Sequence, residues 1–323
     1  MRILTPINQE ASISELVDAG ASEFYMGFFD PAWQDRYGKY SDINRLTLFK
    51  DRANRYLIDD IGRIAEKVHK KNAAFYITLN APQYTAAQKN DIRTYLKRLA
   101  ESEVDGVIIS EPELIVMALE AGVKPVASTM CGIFNSDLAN YYREQGIGRV
   151  ILPRELTTDE IADVMAAVPD VEYEVFLMRN GCRYSDANCL SLHGGEAGAL
   201  CGCLRSGQVS VFSRKSTQVI GQTAEALART HELFCHMFHI YTCGQCAIWR
   251  FLQMGVSAVK IVGRMDDADD IIRDVRLTAD NIRIAIQCET EAEYLEQMCL
   301  PGERETYCRK GMSCYYPEVY YGS

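Results

Sequence analysis

Eight short apolar runs, each followed by a helix-like stretch, constrain this chain more than any other feature. The runs are ILTPI (3–7), EFYMGFF (23–29), AAFYITLN (73–80), DGVIIS (105–110), KPVAST (124–129), RVILP (149–153), EYEVFLM (172–178) and SAVKIVG (257–263). They carry β-branched and aromatic residues and have strand lengths. Between them lie patterns with helical period, at 11–20, 57–72, 85–102, 112–121, 136–146, 158–167 and 247–255. Regular β–α alternation demands a parallel sheet, and eight units in 323 residues predict a closed (β/α)8, TIM-like barrel. An open doubly wound sheet is the alternative. The first strand is not followed by the glycine-rich turn that such a sheet uses to hold a dinucleotide.

Two stretches interrupt the rhythm. Residues 30–56 form an aromatic and charged insertion after the second strand, and residues 181–245 form a longer one between the seventh and eighth. Both follow strands, so both are expected on the C-terminal rim of the barrel, where enzymes of this architecture build their sites. The expected domain plan is a barrel over 1–285, including the long insertion, with a C-terminal helix and a Cys/Tyr-rich tail over 286–323 packed against it.

The long insertion is rich in thiols. Seven of the chain's twelve cysteines (Cys182, Cys189, Cys201, Cys203, Cys235, Cys243 and Cys246) lie within it or just beyond its end. Cys299, Cys308 and Cys314 lie near the C-terminus, whereas Cys131 and Cys288 are isolated and read as small buried hydrophobes. The first residues turn polar too soon for a secretory signal, no run is long enough to span a membrane, and a cytoplasmic location is expected. In a reducing compartment, metal or redox chemistry explains such a surplus better than structural disulfides. Cys182-x6-Cys189, Cys201-x-Cys203 and Cys243-x2-Cys246 do not space like a zinc ribbon; converging loop segments of this kind suit a 4Fe-4S cluster. Structural zinc is the alternative, since Cys235, His236 and His239 lie near Cys243 and Cys246; redox disulfides are a third reading. His236 and His239, three residues apart, also read as packed surface residues, and His193 as a loop residue. The net charge of −10 speaks against a broad nucleic-acid surface, although RNA is not excluded.

EVFLMRNGCRYSDANCLS (174–191) resembles the signature segment of the U-32 peptidase family, the collagenase-like proteases, through Glu174, Phe176, Cys182, Cys189, Leu190 and Ser191. ITLNAP (77–82), VDGVIISEPELI (104–115), the AST of 127–129 with Asn135, RVILPRELTTDEI (149–161) and GVSAVKIVGRM (255–265) are similar to further family segments. Met178 and Arg179 stand where the family commonly has His-Gly, Ala187 where it has glycine, and Val262 where it has glutamate, which removes ionisable candidates for proteolysis. Despite its name, the family includes iron–sulfur proteins of oxygen-independent hydroxylation. The resemblance implies a 4Fe-4S cluster on four cysteines and prephenate as an oxygen donor. Cys182 and Cys189 match the first two ligands, the third falls on Cys201 or Cys203, and the fourth on Cys243 rather than Cys246.

The expected activity is therefore hydroxylation without O2 of a small molecule or RNA base, by this chain alone or with a partner subunit. An anionic donor needs cationic partners, and Arg154, Lys260 and Arg264 near strand ends are the candidates, with Arg52 and Arg55 behind them. Glu174 joins them as a catalytic candidate, and Tyr25, Asn80, Ser128 and Glu155 could complete the pocket. Peptidase activity and a non-catalytic cluster- or zinc-bearing partner role are the rival readings; neither a Ser/His/Asp constellation nor HExxH is present. MDDADDII (265–272) reads as an acidic helix start rather than a metal site.

Overall fold

A computed structural model describes residues 1–38, 41–46, 52–182, 185–189, 242–302, 308 and 313–319. Its eight strands close into a parallel barrel in sequence order. They are β1 (Arg2–Pro6), β2 (Glu23–Met26), β3 (Ala74–Leu79), β4 (Gly106–Ile109), β5 (Pro125–Ala127), β6 (Arg149–Ile151), β7 (Glu172–Met178) and β8 (Ala258–Ile261). Closure is made by β8 pairing with β1, Val259 opposite Ile3. The strands are buried along nearly their whole length, because a closed barrel covers one face and helices the other. That burial is why they read as apolar runs rather than as alternating patterns.

Ten α-helices are described. They are α1 (Ile13–Ala19), α2 (Pro31–Tyr37), α3 (Ile61–His69), α4 (Ala86–Glu101), α5 (Pro112–Glu120), α6 (Ser136–Glu144), α7 (Thr158–Ala167), α8 (Ile248–Met254), α9 (Ala268–Gln287) and α10 (Glu291–Gln297). Their starts are written in the sequence. Thr85 with Gln88 and Thr157 with Glu160 make reciprocal capping boxes for α4 and α7. Asp267 accepts from Asp269 N at the head of α9, as expected of that acidic stretch. The first insertion contains a helix that periodicity does not suggest. Asp30 caps α2, Pro31 opens it, and Trp33 is buried with its indole donating to the Ser41 carbonyl at 3.1 Å.

The barrel lumen departs from the branched aliphatic packing usual in this architecture. An ionic ladder climbs through it. Arg2 pairs with Glu23, and Arg149 grips Glu23 through two nitrogens at 3.0 and 2.6 Å. Arg149 reaches Glu174 at 2.8 Å, and Lys260 meets the other oxygen of Glu174 at 2.8 Å. The Lys260 ammonium also lies 4.2 Å above the Tyr25 ring, a cation–π contact. Burying a charge is costly unless it is answered in this way.

Residues 313–319 of the tail make hydrogen bonds to β7, its following loop and α7. The Tyr315 hydroxyl donates to the Arg179 carbonyl at 2.6 Å, and that of Tyr316 to the Phe176 carbonyl at 2.7 Å. Glu318 accepts from Thr158 N at the first turn of α7. Helix α9 runs through residue 285, where the sequence places the barrel's end.

Candidate functional site

The long insertion leaves and re-enters the barrel through one pinned neck. Arg179 N donates to the Thr242 carbonyl at 2.8 Å, and Gly244 N to that of Leu177 at 2.7 Å. Met178 and Cys243 pair as an antiparallel bridge. Gly181 permits this closeness, since a Cβ there would stand 2.1 Å from the Thr242 hydroxyl oxygen. Arg179 and Asn180 both take left-handed backbone, at φ 64° and 48°, which costs non-glycine residues free energy. What holds them is ionic: Arg179 pairs with Asp274 on α9 and reaches Asp266 and Asp270, while Asn180 donates to Asp266 at 2.9 Å. Cys182 and Cys243, distant in sequence, thus emerge from the same neck.

Between Cys182 and Cys189 lies an anchor that spacing does not reveal. Asp186 is buried and accepts from Arg154 at 2.9 and 2.7 Å and from Arg45 at 2.9 Å. Burial alone would raise its carboxyl, but the Arg154 and Arg45 charges outweigh it and hold the group well below the usual carboxylate range. Arg154 lies 4.2 Å over the Phe176 ring and donates to the Asn180 carbonyl. Arg45 reaches the Cys189 sulfur at 3.5 Å. The turn carrying Cys189 is thereby fastened to β6, β7 and the first insertion, with a guanidinium beside the thiol. Tyr315 lies within electrostatic reach of both Cys182 and Cys243, and Arg154 within reach of Cys182. Cys182, Cys189 and Cys243 are half-buried, and Cys246 is buried. Cys201 and Cys203, with Cys235, His193, His236 and His239, lie outside the described residues. Among the described residues, no three Cys, His, Asp or Glu side chains stand together as a ready metal site.

The cationic candidates divide sharply. Lys260 is 6% exposed and paired with Glu174, itself 1% exposed. Burial lowers the Lys260 pKa in spite of that partner. Burial would raise the carboxyl of Glu174, yet Lys260 and Arg149 overrule it and lower it. Arg154 is committed to Asp186. Arg264 differs. It is 8% exposed and, among the described residues, donates only to neutral oxygens: the side chains of Asn44 and Asn54 at 3.1 Å, Thr78 at 3.4 Å, and the Arg45 carbonyl at 2.6 Å. No carboxylate among the described residues lies within ion-pair distance of it. Burial drags its pKa down to about 10, a measure of how poorly its charge is answered. Gly27 makes room for the guanidinium, since a Cβ there would stand 2.7 Å from Arg264 Nη1.

Asn80 and Ser128 are buried close by; Asn80 Oδ1 accepts from Arg45 N and its amide reaches Ser128 at 3.5 Å. Tyr25 is buried beneath Lys260. Glu155, Arg52 and Arg55 are exposed. Sequence reasoning overlooked Arg45, Asp186, Arg149 and Glu23. Of these Arg149 and Asp186 stood inside quoted family segments without being singled out; Arg45 and Glu23 are single charged residues that nothing local distinguishes.

The chain is 30% identical over 141 residues to the tRNA hydroxylation protein P of Escherichia coli (strain K12), a match covering 43% of this chain and 31% of that protein. It is 25% identical over 310 residues to the uncharacterized protease MJ0090 of Methanocaldococcus jannaschii, covering 92% of this chain and 68% of that one. Against the solved U32 peptidase Mk0906, the TM-score is 0.45 at 14% identity, covering 67% of this chain and 82% of that structure. No described helix is long and apolar enough to cross a membrane. The family model for peptidase family U32 matches residues 9–318, nearly the whole barrel together with its tail, and the chain belongs to that family.

Proposed function

We propose that this chain is an iron–sulfur hydroxylase, or the cluster-bearing subunit of one, drawing its oxygen atom from an anionic organic donor instead of O2. The observation that carries the reading is Arg264, a buried cation whose hydrogen-bond partners among the described residues are all neutral, joined through Arg45 to the turn that bears Cys189. A buried charge without a counter-charge is costly, and a carboxylate ligand would relieve that cost. Arg264 would bind and orient the donor's carboxylate; Asn44, Asn54 and Thr78 keep the guanidinium aimed. Prephenate, which carries two carboxylates, fits that chemistry.

Cys182, Cys189 and Cys243, with Cys201 or Cys203, would hold a 4Fe-4S cluster. The donor set suits it: thiols are the ligands that such a cluster takes, Arg45 reaches the Cys189 sulfur at 3.5 Å, and Cys182 and Cys243 share one neck. Bound there, a cluster supplies Lewis-acidic iron that can exchange electrons. The names of relatives point to a tRNA base as acceptor; a small molecule is the other class.

Glu174 does not favour proteolysis, because a carboxylate clamped between Arg149 and Lys260 is a poor general base. The test is anaerobic purification with iron and sulfide quantitation and an absorption spectrum, followed by mass spectrometry of tRNA nucleosides from cells with and without the gene. Cys182→Ala and Cys189→Ala should each abolish the cofactor. A colourless protein holding one zinc would sink the cluster. Unchanged nucleosides would remove tRNA and leave the small-molecule acceptor.

A further inference from the structure

Residues 44–46 stand between the two halves of the proposed site, and the arginine that would receive the anion grips their backbone. Arg264 Nη1 donates to Asn44 Oδ1 and Asn54 Oδ1, both at 3.1 Å, and Nη2 to the Arg45 carbonyl at 2.6 Å. The Asn54 amide turns to the Leu46 carbonyl at 2.9 Å, and that of Asn44 to the Phe28 carbonyl at 3.2 Å. From the other side, Asn80 Oδ1 accepts from Arg45 N at 3.1 Å. Asn44, Arg45 and Leu46 are thereby all held through Arg264 and the asparagines around it. Arg264 Nε donates to none of the described residues, which leaves that edge of the guanidinium for a ligand.

This grip holds strain. Leu46 takes left-handed backbone, φ 69°, which costs a non-glycine residue free energy and persists only while its surroundings impose it. From the same short stretch the Arg45 side chain leaves for the thiol turn, Nη1 to Asp186 at 2.9 Å and Nη2 to the Cys189 sulfur at 3.5 Å. Arg45 therefore touches the anion-binding arginine through its main chain and a cysteine through its side chain.

We propose that Arg45 is a positioning residue that couples the two: a carboxylate bound at Arg264 steadies residues 44–46, and with them the Arg45 hydrogen bond to Cys189. The coupling rests on the reading of Arg264 as the anion site, and it holds whether Cys189 ligates a cluster or stays a thiol. A buried guanidinium with neutral partners is drawn toward water. A carboxylate on its Nε edge relieves that cost and keeps it in place against the Arg45 carbonyl. Coupling is reciprocal, so whatever fixes Cys189 favours the anion by the same factor.

The test uses the full chain, purified anaerobically. Alkylation of Cys189 by iodoacetamide is followed by peptide mass spectrometry with and without malonate or prephenate, and calorimetry records binding of the same probes. A saturating dicarboxylate should slow Cys189 alkylation about 10-fold in the native chain, while alkylation of the exposed Cys299 stays constant. Arg45→Met, at its own saturating concentration, should lose that protection. Arg45→Lys offers one head to both Asp186 and the sulfur and should recover part of it. In chain that carries the cluster, Arg45→Met should also move the midpoint potential to more negative values, because a hydrogen bond to a ligand sulfur favours the reduced cluster. A merely structural Arg45 would change the alkylation rate of the Arg45→Met chain and leave its response to the dicarboxylate intact. A dicarboxylate that binds yet protects the native and Arg45→Met chains alike, or neither, would overturn the coupling and leave the anion site standing. No binding to the native chain would overturn both.

Discussion

Gly181 and Thr242 touch so closely that a single methyl group on the glycine would meet the threonine hydroxyl oxygen at 2.1 Å. That contact locks together the two ends of the long insertion and brings Cys182 alongside the segment that carries Cys243. Overpacking a tight site costs about 1–3 kcal/mol. Gly181→Ala should therefore lower stability by that amount in urea unfolding and reduce the iron content expected from the proposed cluster. Thr242→Ala in the same chain should recover part of both. An unaffected Gly181→Ala protein would mean that the neck is looser than its geometry.

Glu174 is held by Arg149 and Lys260 in the lumen. Removing one partner of a buried ion pair leaves the other unanswered, at a cost of about 3–5 kcal/mol, whereas replacing both with apolar groups is often neutral. Glu174→Gln should fall in that range by chemical denaturation. Because Arg149 also depends on Glu174, adding Lys260→Met should restore only part of the loss. A mild effect of Glu174→Gln alone would contradict the buried ladder.

The same carboxylate predicts an acid response. Its folded pKa is lowered, so its contribution is complete above the unfolded value near about 4.3 and is lost as pH falls through the folded value. Stability measured against pH should decline below that point in the native chain, with a shallower decline in Glu174→Gln. Parallel curves for the two proteins would rule out this linkage.

Arg264 offers a binding test. Charge-assisted hydrogen bonds contribute about 1.5–3 kcal/mol. Arg264→Lys should weaken binding of a dicarboxylate such as prephenate about 10- to 100-fold in calorimetry, because an ammonium cannot reproduce the planar fork. Gly27→Ala, which pushes on the guanidinium without touching its charge, should weaken it too. Equal affinity in all three proteins would remove Arg264 from the anion site.

The loop anchor can be tested separately. Asp186→Asn keeps the shape and removes the charge that the half-buried Arg45 and Arg154 share, leaving both guanidinium groups without their ion-pair partner among the described residues. A loss of about 3–5 kcal/mol is expected, together with faster modification of Cys189 by an alkylating thiol reagent. Unchanged Cys189 reactivity would show that the turn is held by other contacts.

The β–α rhythm was legible from residues alone because a strand buried on both faces must be apolar throughout and its helix must show one apolar stripe. Capping residues marked helix starts for the same local reason. Cys182 and Cys189 were legible as a pair because their motif is contiguous. Helix α2 was not, since Asp30 and Pro31 signal it within a stretch whose tyrosines and charges have no clear period.

What the sequence determined, then, is everything set by neighbours along the chain: eight strands, their helices, the insertions and the supply of thiols. Only the tertiary structure decided that Lys260 and Arg154 are answered by Glu174 and Asp186 whereas Arg264 meets only neutral oxygens among the described residues. It alone decided that Cys314 lies beside Cys243. Charges and thiols act over a few ångströms of space, and barrel closure sets those distances between residues that may be two hundred positions apart, as Arg264 and Asn44 are.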